Sequence, residues 1–136
     1  MITAVDTSVL VDVLEPDPLF GPASAEALRE AIQHGGLIAC EVVWAEVGSR
    51  FSPATAVQEA LRRLTIEFSA LQMTEALDAG AMMAEYRRRG GTRDRVVADF
   101  LVGAHALTRA DRLLTRDRGF YRSYFAGLEV VDPSVT

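Results

Sequence analysis

Short apolar runs alternate with amphipathic stretches along the chain. Ile2 to Val5 is apolar or β-branched and too brief for a helix, which predicts a buried strand. Thr7 to Leu14 then has helical character, with Thr7 or Ser8 placed to cap its first amides. Glu26 to Gln33 carries helical periodicity and stops at Gly35-Gly36, ahead of a second strand in LIAC. EVVWAEVGSRF predicts a helix, ATAVQEALRRL after Pro53 predicts another, and Ile66 to Phe68 predicts a third strand. The stretch TEALDAGAMMAEYRRRGG reads as a long amphipathic helix opened by Thr74 and closed by paired glycines. It is followed by an apolar helix in RVVADFLVGAHAL, a strand in RLLT, a short helix or turn in RDRGFYRSYF and a last strand in LEVV. Interleaving of this kind favours a mainly parallel sheet covered on both faces, a three-layer α/β/α fold. No repeat or linker interrupts the pattern, so residues 1–136 read as one domain.

Composition narrows the chemistry. Cys40 is a single cysteine and cannot form an internal disulfide, and no signal peptide or membrane-length apolar run is visible, so a cytoplasmic protein with no membrane association is expected. His34, Cys40 and His105 are too few for a zinc site of the usual nitrogen and sulfur kind. The net charge of −5 argues against bulk attraction to nucleic acid, but it is unevenly spread. Up to Tyr86 there are 13 acids against 4 arginines, whereas Arg87 to Arg122 holds 10 arginines and 4 acids. With no lysine anywhere, the side-chain cations are guanidinium groups suited to bidentate phosphate contacts, histidines aside. Codon bias accounts for missing lysines but not for that clustering.

Most acids have ordinary explanations. Glu26, Glu30, Glu59, Glu75, Asp78 and Glu85 fall on polar helix faces, and Asp132 beside Pro133 marks a turn near the end of the chain. Four acids fit less easily. Asp6 ends the first strand, where an isolated aspartate is most simply a cap or turn residue, and Asp117 follows the RLLT strand two residues after Thr115. Glu46 has Val42 and Val43 one turn before it, and Asp99 has Val96 and Val102 as helical neighbours, which sets both beside apolar stripes. Parallel strands bring Asp6 and Asp117 to the same sheet edge, the edge at which open α/β sheets bind ligands, and helices over that edge can add Glu46 and Asp99. Carboxylates so crowded repel by about 4 kcal/mol per close pair at an effective dielectric near 20, and a divalent cation relieves this. Ligation by oxygen alone suits Mg2+ or Mn2+. The competing arrangement pairs Glu46 and Asp99 with Arg50, Arg93 or Arg95.

The segments AVDTSVLVD, CEVVWAEV, ADFLVGAHA and LLTRD, with Asp6, Glu46, Asp99 and Asp117, resemble the four acidic motifs of PIN-domain nucleases. The likeness is nearest to the VapC toxins of bacterial toxin–antitoxin pairs and covers essentially the whole chain in order. It implies a Mg2+- or Mn2+-dependent endoribonuclease, restrained by a VapB-type antitoxin and usually dimeric, with those four acids as catalytic metal ligands. Ser8 and Thr115 match the small hydroxyl positions that assist such a site, while Asp94 is an extra acid assigned to a helix start. The chemistry implied is water attack on an RNA phosphodiester that leaves a 5′ phosphate and a 3′ hydroxyl.

Rival activities lack their residues. A metal-free ribonuclease needs an acid–base pair, and His34 at a helix end and His105 in GAHA are joined by no motif. Without lysine there is no Walker loop, and receiver or haloacid-dehalogenase-like sites lose a group they normally use; the latter also wants an aspartate where Ser8 stands. No GxGxxG follows a strand. The remaining alternative is a noncatalytic PIN-fold module that binds RNA or protein. Trp44, Phe51, Met82, Met83 and Tyr86 serve either as an oligomer or antitoxin surface or as core.

Overall fold

The computed structural model describes residues 1–92 and 95–135. Its sheet is built from five three-residue strands: β1 Thr3–Val5, β2 Leu37–Ala39, β3 Ile66–Phe68, β4 Arg112–Leu114 and β5 Glu129–Val131. All neighbouring pairs are parallel, in the order β3-β2-β1-β4-β5. The helices are α1 Thr7–Leu14, α2 Gly21–His34, α3 Glu41–Gly48, α4 Ala54–Arg63, α5 Met73–Arg88, α6 Val97–Arg109 and α7 Arg118–Tyr124. Together they make the expected three-layer α/β/α fold.

The order has a functional consequence. The chain runs outward from β1 through β2 to β3, then returns to place β4 on the other side of β1. The switch point therefore lies between β1 and β4, and the loops leaving their carboxyl ends diverge there and open a crevice. Backbone pairing extends past β1, because Asp6 N donates to Leu114 O at 2.9 Å.

Burial explains the elements. β1 and β2 are buried throughout, as strands covered on both faces must be, and the core runs through Val9, Leu10, Val43, Val47, Leu61, Phe100, Leu113 and Leu114. In α6 Phe100 and the run from Val102 to Ala106 are all buried. Gly103 allows that depth: a Cβ there would lie 2.5 Å from the Phe125 ring, so α6 and the segment after α7 meet without a side chain between them.

Several boundaries differ from the sequence expectations for identifiable reasons. Ile2 is 42% exposed and outside β1. Asp6, rather than Thr7 or Ser8, caps α1, its carboxylate accepting from Thr7 N at 2.8 Å. α2 begins at Gly21, ahead of its periodic stretch, with a proline in its first turn. α5 opens at Met73 rather than Thr74, on a capping box between Gln72 and Glu75. Glu75 is consequently not on a polar face: it is fully buried and accepts from Arg109 Nε at 2.9 Å. Val96 is 57% exposed and precedes α6. Asp94 and Arg93, assigned above to a helix start and to ion pairing, lie outside the described residues. Among the described residues no helix is long and apolar enough to cross a membrane.

Candidate active site

Asp6 stands where β1 ends and α1 begins, and both its oxygens are held. Oδ1 takes the Thr7 amide, and Oδ2 accepts from Thr115 Oγ1 at 2.7 Å with Tyr121 Oη at 3.5 Å. Thr115 follows β4 and is fully buried; its oxygen also accepts from Asp117 N at 3.0 Å. One threonine hydroxyl thus links the two strand-end aspartates across the switch point. Burial pushes the Asp6 carboxyl up to about 6 against the opposing bonds from Thr115 and Thr7, and Glu46 and Asp99 raise it further.

Glu46 comes from α3 and is exposed, on the rim of the buried stripe formed by Val43 and Val47. Its Oε1 accepts from Thr7 Oγ1 at 2.7 Å, so the residue after Asp6 reaches across to the second acid. Asp99 sits in the first turn of α6, half-buried, and burial raises its pKa, with Arg95 opposing and Asp117 and Glu46 adding to the rise. Asp117 precedes α7 and meets the Arg95 guanidinium in a two-point fork, with Nη2 to Oδ1 at 3.1 Å and Nη1 on Oδ2. Arg95 Nη1 is also 3.9 Å from Asp99 Oδ2. Of the arginines weighed as partners, Arg95 is at the acids and Arg50 pairs with Glu15 at 3.0 Å, while Arg93 lies outside the described residues.

The four acids are neighbours, but they are not closed around one point. Among the described residues no group of three or more His, Cys, Asp or Glu side chains is arranged to hold a metal ion. Thr7 holds Glu46, and the Arg95 fork occupies Asp117. The donor chemistry nonetheless fits a hard divalent ion. Every candidate ligand is a carboxylate, and at Asp6 and Asp99 burial raises the pKa, with neighbouring acids adding a smaller rise.

Three contributors were not legible in the sequence. Tyr121 is buried against Asp6, its phenol kept protonated by burial and by the field of Asp6, Asp99 and Asp117. Phe120 lies under Arg95, whose guanidinium is 4.4 Å from its ring centroid, and it packs edge-on to Phe100 and Tyr121. Asp12, buried in α1, accepts from Arg116 Nε at 2.8 Å and Nη2 at 3.0 Å and from Ser24 Oγ at 2.8 Å, fixing the residue between Thr115 and Asp117. FYRSY in α7 marks Tyr121 only as one aromatic among several. Ser8 touches the site through its side chain, its Oγ accepting from the Arg116 backbone amide at 3.4 Å. His105 is packed in α6 with Nε2 2.9 Å from Ser69 Oγ, and His34 ends α2.

A parallel sheet with acids gathered at the β1/β4 switch point defines an α/β domain with an anionic crevice. The PIN domain profile matches residues 3–126, and the chain belongs to that family. No curated protein matches it in sequence. Similar solved structures include VapBC2 from Rickettsia felis bound to a DNA fragment from its promoter, with TM-score 0.76, 19% identity and coverage of 97% of this chain and 98% of that one. VapBC-1 from nontypeable Haemophilus influenzae has TM-score 0.74 and 17% identity, over 98% of this chain and 99% of that chain. A toxin–antitoxin complex from Klebsiella pneumoniae has TM-score 0.66 and 22% identity, over 96% and 97%.

Proposed function

We propose that the chain is a VapC-like toxin, an endoribonuclease that uses Mg2+ or Mn2+ held by Asp6, Glu46, Asp99 and Asp117 and is restrained by a cognate antitoxin. The observation that carries this is the meeting of the strand-end acids at the β1/β4 switch point, where Thr115 bridges the Asp6 carboxylate to the Asp117 backbone and Thr7 joins Glu46 to the same corner. The metal, when bound, supplies an activated water and stabilises the leaving oxygen. The protein's part is positional. Thr115 fixes Asp6 and the Asp117 backbone, Thr7 fixes Glu46, and the Asp12–Arg116 pair fixes the β4–α7 turn. Tyr121 keeps its proton beside Asp6 and closes the inner wall.

Support for a protein partner comes from the similar structures, which include a toxin–antitoxin complex, and from exposed apolar surface. Trp44, Phe51, Val57 and Phe68 line a groove of about 630 Å3, and Phe68 is 56% exposed. We assign this face to the antitoxin. The test is RNA cleavage by the purified, antitoxin-free chain with and without EDTA. Cleavage only with metal is expected, and RNA binding without cleavage would identify a noncatalytic module instead.

A further inference from the structure

Arg95 sits against two of the four acids, Asp117 and Asp99. Its fork uses both oxygens of Asp117, its Nη1 is 3.9 Å from Asp99, and Phe120 supports its other face. A guanidinium cannot shed its charge by losing a proton, so it stays cationic in every state of the site. A divalent ion taking a carboxylate oxygen of Asp117 meets that charge a few ångströms away, and the two compete for the same lone pairs.

We propose that Arg95 is a resident counter-cation of this site, which engages both oxygens of Asp117 and must release it when a hard divalent ion binds. This rests on the reading of Asp6, Glu46, Asp99 and Asp117 as metal ligands. Arg95 is a positioning residue in this scheme, acting through Asp117. The structure gives it room to leave: it also lines a cavity of about 370 Å3 with Met83, Tyr86, Arg87, Gly91 and Phe100. The fork leaves Asp117 committed to a cation already present in the site. Metal binding then carries the cost of breaking the fork, and by linkage removal of Arg95 raises metal affinity while destabilising the metal-free protein.

The experiment is a Mn2+ titration of the full chain, with free Mn2+ counted by electron paramagnetic resonance, alongside thermal melts in EDTA. Arg95→Gln should bind Mn2+ at least about tenfold tighter than wild type and melt lower in EDTA. Arg95→Lys, a point charge that cannot fork, should fall between them. A residue that merely supports the fold would leave affinity equal or weaker, and that result overturns the inference. A second measurement needs no variant: the Arg95 Nη–H resonances of wild type, whose protons bond Asp117, should move toward the position of a solvated arginine on adding Mg2+, and unmoved resonances at saturating Mg2+ overturn the proposal. Equal and measurable Mn2+ affinity in wild type and Arg95→Gln would discard the role of Arg95 alone. Absence of Mn2+ binding in both would discard the metal reading as well.

Discussion

Thr115 Oγ1 donates to Asp6 Oδ2 at 2.7 Å and accepts from Asp117 N at 3.0 Å, so a single buried hydroxyl sets the spacing between two strand-end acids. Thr115→Val keeps the shape and removes both bonds. Losses of outer-shell partners typically reduce activity or metal affinity by about 10–100-fold, and a reduction in that range is expected for RNA cleavage, with the fold retained. The bond from Thr115 lowers the Asp6 pKa, so the acidic limb of the pH–rate profile should also move to higher pH. Wild-type rates and an unmoved limb would remove Thr115 from the site.

The metal-free protein should be most favoured, as far as Asp6 is concerned, at low pH. Its folded pKa of about 6 lies above its ordinary value of 3.8, so the folded state binds the proton more tightly. That contribution is fully present below the unfolded value and is lost as pH rises through 6. Asp6→Asn abolishes this component, and its stability relative to wild type should rise between pH 4 and 7 by on the order of 1–2 kcal/mol. The check is urea denaturation of both proteins in EDTA across that range; a flat difference contradicts it.

Asp12 is 3% exposed and depends on Arg116 and Ser24 for its partners. Arg116→Ala strands a buried carboxylate and should cost about 3–5 kcal/mol, while Asp12→Asn with Arg116→Met should recover a good part of it. A double-mutant cycle by chemical denaturation measures this coupling. Additive single effects would show that the pair does not fix the β4–α7 turn.

Glu75 and Glu85 separate two kinds of helix acid. Glu75 is fully buried, accepting from Arg109 and from the Gln72 amide, whereas Glu85 pairs with Arg88 and Arg89 at the surface. Glu75→Ala should lower stability by about 2–3 kcal/mol through unmet buried donors, and Glu85→Ala should move the denaturation midpoint little. Equal effects would mean that the buried cap contributes nothing specific.

The arginine-rich segment is largely committed within the fold. Arg95 meets Asp117, Arg109 meets Glu75, Arg116 meets Asp12, Arg112 meets Thr3, and Arg88 and Arg89 meet Glu85. Arg87 and Arg122 are exposed, and among the described residues neither forms an ion pair. Replacing both with Gln should flatten the salt dependence of RNA binding by about one to two units of log–log slope. An unchanged slope places the RNA path on another face.

The fold was legible because short apolar runs bounded by caps leave little choice of element: the bounds of α1 and β3 follow directly from Thr7–Leu14 and Ile66–Phe68. Proximity of the acids was legible too, since parallel strands force Asp6 and Asp117 to one edge. Side-chain pairing was not. Glu75 has the spacing of a surface acid, and only the packing of α5 on α6 reveals it as a buried partner of Arg109. Arg95 likewise reads as one of several nearby guanidinium groups until α6 and the β4–α7 turn bring it onto Asp117. Glu46 showed the reverse, with valines one turn away but an exposed side chain, because a helix stripe narrows at its edge.

The central claim is that Asp6, Glu46, Asp99 and Asp117 act as one metal-dependent cleavage site. It is tested most directly by incubating 5′-labelled RNA with the purified chain and with Asp6→Asn, Glu46→Gln, Asp99→Asn and Asp117→Asn, in Mg2+ or Mn2+ and in EDTA, with product ends identified and folding checked by circular dichroism. The prediction is metal-dependent cleavage to 5′-phosphate and 3′-hydroxyl ends, abolished by EDTA and reduced at least about a hundredfold in every folded variant. Cleavage that persists in EDTA, or wild-type rates in two or more of the four variants, would contradict it.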